Sequence, residues 1–143
     1  LFNEFRSKID KKYRIGIEIR NGNYLTETYF KFLKENSIIH VFSEKQYMPH
    51  IYDVFEKYHS YLGDTSVFRL LGGDRREIEN KTKEIWNKIV DEKRDKERII
   101  NLITKPPFNN GKVIINVNNH YEGSAPLTIE KIREICKNLG VEE

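Results

Sequence analysis

Apolar and polar residues follow two periods along the chain, and the two periods alternate. Residues 13–20, 66–71 and 112–118 show a period of two, and residues 38–43 form a short apolar run; both patterns are typical of strands. Each is followed by a stretch with the helical period of about 3.6 residues. The sequence therefore predicts strand–helix pairs joined as βαβ units, with a parallel sheet and right-handed crossovers.

The predicted helices have different lengths. Thr26 is a predicted N-cap of the first helix, and the last helix is predicted to end near Gly140. The longest is predicted to begin after Gly72-Gly73-Asp74 and to continue through Val90. Residues 91–98 carry only charged side chains of both signs, which favours a solvated helical face over a nucleic-acid-binding arm.

The polar positions of the strands favour one of two architectures that fit this order. In an open, doubly wound α/β layer, the central strands would be apolar on both faces. Here one face of three predicted strands carries polar or charged residues, namely Glu18, Arg20, Arg69, Asn116 and Asn118. A barrel accommodates such groups near its mouth, so we expect four βα units of a parallel (β/α)8 TIM-like barrel.

Composition supports one domain over residues 1–143. Hydrophobic residues make up 38% of the chain, which is ample material for a core. No apolar run approaches the roughly 18 residues of a membrane helix, so we expect no membrane partner. The single cysteine, Cys136, is predicted to be a small core residue in a reducing, cytoplasmic setting. The net charge of +3 is compatible with anionic partners, either a small ligand or nucleic acid.

The first residues predict that the chain is a fragment or a processed product. The chain begins with Leu1, and Phe2, Phe5 and Ile9 have the spacing of an amphipathic helix that is already under way. The four strands would then be the C-terminal half of the barrel. Four parallel strands alone leave two unpaired edges, which either N-terminal strands or a second copy in a homodimer would close.

Candidate functional residues gather where the predicted strands end, the face that carries the active sites of barrels. They are Glu18, Arg20, Arg69, Asn116, Asn118, Asn119, His120 and Glu122. An inward-facing charge needs a partner, so we expect Glu18 to pair with Arg20 or Arg69. Such a network can have a purely structural role, in which the charged groups only neutralise one another. Alternatively, the two arginines bind a carboxylate or phosphate through their planar guanidinium forks.

Two further segments bear on chemistry. Gly73 and Arg75 precede or begin a predicted helix and are candidate anion contacts, with a plain turn as the alternative. His120 is the best candidate for a general acid or base, and Glu18 is a second. The other histidines have no metal-ligand spacing, and His50 and His59 are predicted at the surface or the edge of the core. The sequence therefore indicates no metal site and identifies no cofactor.

Three motifs resemble one known family. Residues 118–126, Asn-Asn-His-Tyr-Glu-Gly-Ser-Ala-Pro, are similar to the C-terminal signature of the YecE-like family, a domain of unknown function, number seventy-two. Residues 18–20 resemble its Glu-x-Arg strand end, and residues 68–72 resemble its Arg-Leu-His-Gly strand. The motifs occur in the family's order and span nearly the whole chain.

The resemblance implies a TIM-like barrel of unestablished activity, with these motifs at the lumenal mouth. It also implies that the chain corresponds to the C-terminal part of the family's domain, which the family's N-terminal motifs would precede. Leu71 stands where the family often has a histidine, so a step that depends on that histidine is not expected. The last two strands would be the seventh and eighth, whose loops often form a phosphate site in barrels.

Three functions stay open from the sequence. In the first, Arg20 and Arg69 hold a phosphorylated or other anionic ligand, Asn118 and Asn119 orient it, and Glu18 or His120 transfers protons in a reaction compatible with hydrolysis. The second is a nucleic-acid-binding barrel or phosphodiesterase. The third is a non-catalytic barrel that binds a ligand or acts as a scaffold.

Overall fold

The computed structural model of the protein describes residue 4, residues 7–10 and residues 12–141. The helix predicted from Phe2, Phe5 and Ile9 therefore rests mainly on positions outside the described residues. No helix among the described residues is both long and apolar enough to cross a membrane.

Among the described residues, the sheet has four parallel strands in chain order. They are β1 (Gly16–Glu18), β2 (Ile39–Lys45), β3 (Thr65–Gly72) and β4 (Lys112–Val117). All four predicted strands are confirmed, although β1 is much shorter than residues 13–20. Because each strand pairs with the next one in the chain, the order never reverses as it does in a doubly wound sheet.

Six α-helices within the described part of the chain connect and follow these strands. They are α1 (Glu27–Glu35), α2 (Ile51–Tyr58), α3 (Arg75–Thr82), α4 (Lys96–Asn101), α5 (Asn119–Glu122) and α6 (Ala125–Asn138). Thr26 caps α1 as predicted, because its hydroxyl oxygen accepts a hydrogen bond from the Tyr29 amide at 3.3 Å. Asp74 caps α3 by accepting from the amides of Arg76 and Glu77 at 2.7 and 3.2 Å.

The long helix predicted through Val90 is wrong. Helix α3 ends at Thr82, because Lys83 and Glu84 both adopt the left-handed backbone conformation, with φ of 51° and 59°. Residues 85–95 then run without regular helix. The predicted solvated helical face is also wrong in part, since α4 begins only at Lys96 and the Lys96 side chain is buried.

The core lies between one face of the sheet and the helices. Phe42, Phe68 and Leu70 supply its sheet side, and each is at most 1% exposed. Phe30 of α1 and Ile99 of α4 lie among the helical residues that pack on them. Cys136 packs against the edge of this core, as predicted.

The opposite face of the sheet is open in the part of the chain that the structure describes. Val41, Val67 and Ile114 occupy one register level on this face, and Ile114 is 42% exposed. One level further along, Ser43, Arg69 and Asn116 lie side by side. The face is therefore apolar over much of its length and becomes polar towards the C-terminal ends of the strands.

Candidate functional site

A carboxylate holds two arginines together on the open face of the sheet. Arg69 Nη1 donates to Glu18 Oε2, and Arg20 Nε donates to Glu18 Oε1 at 3.3 Å. The hydroxyl of Ser43 also donates to Glu18 Oε1, at 2.6 Å. The structure thus contains both of the pairs that the sequence left open. We call Glu18, Arg20, Ser43 and Arg69 the arginine cluster.

The contacts of Glu18 favour a positioning role. Burial alone would raise the pKa of its carboxyl, but the hydrogen bonds from Ser43, Arg69 and Arg20 outweigh burial and hold that pKa below its usual value. A carboxylate with a lowered pKa and three donors is a poor proton acceptor near neutral pH. These contacts suit a carboxylate that orients the two guanidinium groups, and the proton-transfer role of Glu18 stays a prediction.

Sequence reasoning missed Ser43, although a signal was present. Val41 and Ser43 are two residues apart and share the open face with Glu18, so the period of two in β2 places the hydroxyl beside the cluster. Asn116 pairs in register with Arg69 on the next strand, as its predicted position on the polar face requires. It is an exposed neighbour of the cluster.

A separate cleft of about 530 Å³ lies at the C-terminal ends of β2 and β3. Its walls come from the segment after β2, from α3, from residues 91–95 and from α5. Of the predicted site residues, Gly73 and His120 line this cleft. The two groups of predicted residues are thus distinct, since no side-chain hydrogen bond or ion pair among the described residues joins the cleft to the arginine cluster.

His120 is held by partners on both ring nitrogens. Nδ1 lies 2.6 Å from Asn118 Oδ1, and Nε2 lies 3.3 Å from Glu79 Oε1. Asn118 Oδ1 also accepts from the His120 amide at 2.9 Å, which fixes it as the oxygen. The Trp86 ring packs on the imidazole with 5.0 Å between ring centroids. Both partners are acceptors, so each ring nitrogen faces a group that can only accept a hydrogen bond.

Arg75 lies beside this histidine through a shared carboxylate. Its Nε donates to Glu79 Oε1 at 2.6 Å, and 77% of its side chain is exposed. The hydrogen bond from Arg75, followed by that from His120, lowers the pKa of Glu79. The i, i+4 spacing of Arg75 and Glu79 on α3 was available in the sequence, but the contact with His120 was not.

Two further predicted site residues make contacts that stabilise the fold around α5 and α6. Asn119 Oδ1 accepts from the Ala125 amide at the start of α6, at 2.8 Å. The Glu122 side chain is completely buried, and its carboxylate accepts from Lys96 Nζ at 2.5 Å and from the Thr128 hydroxyl at 2.8 Å. Neither side chain lines the cleft, so their contacts position α5 and α6.

The second histidine of the cleft is one that sequence reasoning placed at the surface or core edge. His50 lines the cleft, and its Nδ1 lies 2.6 Å from Glu44 Oε1. Glu44 Oε2 accepts from the Ile51 amide at 2.9 Å. No direct signal in the sequence marks this pair, because a turn separates the end of β2 from α2.

No group of three or more histidine, cysteine or acidic side chains that could hold a metal ion occurs among the described residues. Several polar groups of both sites are partnered to one another, as Glu18 is to Arg69 and Glu44 is to His50. The chemistry that they offer is hydrogen bonding, ion pairing and proton transfer.

Comparison with known proteins identifies the family. A family model described as "Protein of unknown function DUF72" matches residues 1–142. This is the family that the three sequence motifs indicated. No curated protein and no solved structure matches the chain.

Proposed function

Because the chain belongs to the DUF72 family, we propose that it binds a phosphorylated or other anionic small ligand at the arginine cluster. The observation that carries this proposal is one carboxylate, Glu18, shared by two arginines at the polar end of an open sheet face. The side chain of Arg20 is 62% exposed and that of Arg69 is 33% exposed, so both are accessible to a ligand.

Charge and donor counts support the same ligand class. Two guanidinium groups and one carboxylate leave one net positive charge. Each guanidinium has five N–H donors, and the described contacts of each with Glu18 use one nitrogen. The remaining donors match the oxygens of a phosphate or carboxylate, which arginine binds in a bidentate fashion. Asn116 adds an amide on the neighbouring strand.

The proposal includes a barrel as its structural setting. Parallel strands in chain order, helices that build the core on one face, and an open opposite face all suit a section of a (β/α)8 barrel. The open face would then be the lumen, closed by further strands or by a second copy of this chain. Cys136 as the single cysteine suits a cytoplasmic setting.

In this setting His120 is the proposed proton donor. It contacts Asn118 and Glu79 through its two ring nitrogens and lines the separate cleft, so it would act on a ligand bound in the cleft and not on one at the arginine cluster. A hydrolytic reaction is compatible with such a donor. Anion binding does not depend on this role and is tested separately.

The test uses inorganic phosphate and glucose 6-phosphate as probes in calorimetric titrations of the purified chain. We expect Arg69→Ala to weaken binding about tenfold to a hundredfold, as the loss of a charged hydrogen-bonding partner predicts. Arg69→Lys keeps the charge but loses the fork, and we expect an intermediate loss. Arg14→Ala is the matched control, because it removes the same charge before β1, at the opposite end of the strand.

The outcome is decisive in three ways. Failure of wild-type protein to bind either probe, or equal binding by the Arg69→Ala and Arg14→Ala variants, would refute the proposal. Weak binding by an Arg69→Ala variant that is already unfolded at the assay temperature would assign the cluster to stability. For the nucleic-acid-binding alternative, the logarithm of the oligonucleotide binding constant should fall by about 0.7 per phosphate contact for each tenfold rise in salt concentration. Such a salt dependence would favour that alternative.

A further inference from the structure

We infer that the cleft is a second binding site, for a neutral, hydroxyl-rich ligand such as a sugar, in which His50 Nε2 accepts a hydrogen bond from a ligand hydroxyl. The site is distinct from the arginine cluster, and the inference does not rest on anion binding. It follows from the geometry of the Glu44–His50 pair, the access to His50 and the charge of the cleft walls.

Glu44 fixes the ring of His50 in one orientation. Its Oε2 accepts a hydrogen bond from the Ile51 amide at 2.9 Å, which fixes the carboxylate. The other oxygen, Oε1, is therefore held 2.6 Å from His50 Nδ1 as a hydrogen-bond acceptor. The Glu44 side chain is only 14% exposed, and the His50 ring stacks on Tyr52 with 4.9 Å between centroids and 11° between planes. The ring therefore has little freedom to turn.

The same contact determines which nitrogen carries the proton. A carboxylate oxygen only accepts, so neutral His50 must bear its hydrogen on Nδ1. The lone pair is then on Nε2, which has no partner among the described residues. The His50 side chain is 49% exposed and lines the cleft, so this lone pair is accessible. A carboxylate that orients an imidazole in this way is the arrangement of proton-accepting histidines.

The other histidines do not offer this combination. His120 has acceptors at both ring nitrogens, and His40 is buried at 4% exposure. His59 lies outside the cleft lining, and its Nδ1 faces the Glu56 backbone carbonyl at 3.2 Å instead of a carboxylate. His59 is thus a natural comparison, because a backbone carbonyl favours the same tautomer but no carboxylate among the described residues contacts its ring.

The charges of the cleft walls indicate the ligand class. Five carboxylates and three lysines line the cleft, and this excess of negative charge disfavours an anion. Glu77 pairs with Lys81 at 2.6 Å, and Lys93 pairs with Asp91. Such a lining presents many hydrogen-bond donors and acceptors, which suits a ligand that carries several hydroxyl groups. In the proposed contact a ligand hydroxyl donates a hydrogen bond to the Nε2 lone pair, and its O–H bond stays intact.

The first test measures the tautomer of His50 by two-bond hydrogen–nitrogen NMR correlations in wild-type protein above neutral pH. We expect the Nδ1–H form at His50. A predominant Nε2–H form would overturn the inference, and this measurement needs no variant. Glu44→Gln serves as the second measurement, and we expect it to allow the other tautomer at His50 while leaving His59 unchanged.

The second test uses diethyl pyrocarbonate, which acylates accessible unprotonated imidazole nitrogens, with mass spectrometry as the readout. We expect His50 to react faster than His59, and Glu44→Gln to slow His50 about tenfold, the factor that corresponds to one charge-assisted hydrogen bond. D-glucose or D-ribose at millimolar concentration should protect His50 and leave His59 reactive.

The controls separate this site from the anion site. Arg69→Ala should leave sugar protection of His50 intact, even where it abolishes phosphate binding. Equal reactivity of His50 and His59, absence of protection by either sugar, or protection by inorganic phosphate in place of sugars would each overturn the inference.

Discussion

The buried ion pair between Glu122 and Lys96 gives the sharpest stability prediction. The Glu122 side chain is 0% exposed and that of Lys96 is 6% exposed, with 2.5 Å between Oε1 and Nζ. The same Oε1 accepts from the Lys93 amide at 2.7 Å. Replacing Glu122 by glutamine would leave the charge of Lys96 buried without a counter-ion.

The expected cost is large because the side chains of both partners are buried. Breaking a buried pair by removing one partner typically costs about 3–5 kcal/mol. For 143 residues, an unfolding entropy of about 2.1 cal/mol/K per residue amounts to about 0.3 kcal/mol/K. Glu122→Gln should therefore lower the melting temperature by about 10–17 °C.

The assay is a double-mutant cycle in urea, with Lys96→Met as the second change. The double variant contains no buried charge, so we expect it to be more stable than Glu122→Gln alone. The matched control is Glu92→Gln, because the Glu92–Lys131 pair is exposed and its loss should leave the urea midpoint nearly unchanged. A Glu122→Gln midpoint equal to wild type, or a double variant less stable than the single one, would refute the reasoning.

Three further predictions concern pH and backbone geometry. Burial lowers the pKa of His40 from 6.5 to about 3, so between these two pH values the unfolded chain binds more protons than the folded one. The free energy of unfolding should therefore fall with falling pH in this range, by up to about 1.4 kcal/mol per pH unit. His40→Asn should flatten this slope in urea titrations. The pKa of Glu18 is lowered, so the stability it contributes is present above its ordinary value of 4.5 and is lost as pH falls through its folded-state value. Glu18→Gln should remove that part of the acid limb, and an unchanged limb would show that the cluster does not stabilise the fold. Gly72→Ala should lower the free energy of unfolding by at least about 2 kcal/mol, because φ at this position is +84° and the new Cβ would lie 2.1 Å from the His120 carbonyl oxygen. The control is Gly63→Ala, whose Cβ would meet nothing within 4 Å, and its stability in the same assay should equal that of wild type.

Much of the fold could be predicted from residue periods. Strands β1 to β4 each follow a period of two or a short apolar run, and the cap at Thr26 was visible as a single residue before an apolar stripe. The end of α3 could not be predicted in this way. Lys83 and Glu84 take the left-handed conformation without glycine, so no residue type marks the break.

The parts of the candidate site that depend on side-chain alternation along strands could be predicted from the sequence. The parts that depend on how helices pack could not. Glu18 and Arg69 share a face because side chains alternate along strands, and their ion pair confirms the predicted pairing. The pairs Glu79–His120 and Lys96–Glu122 join helices that are far apart in sequence. The packing of the helices determines which residues form these pairs. The periodicity of residues within one helix contains no information about that packing.

One physical feature connects the arginine cluster with the cleft. At the C-terminal end of the sheet, a carboxylate from a different part of the fold holds each candidate functional group: Glu18 holds Arg69, Glu79 holds His120 and Glu44 holds His50. In each pair the carboxylate is at most 24% exposed. A partly buried carboxylate limits the rotamers of its partner and raises the cost of any other arrangement. The cations and imidazoles are therefore oriented before a ligand arrives, which reduces the entropy that binding has to overcome.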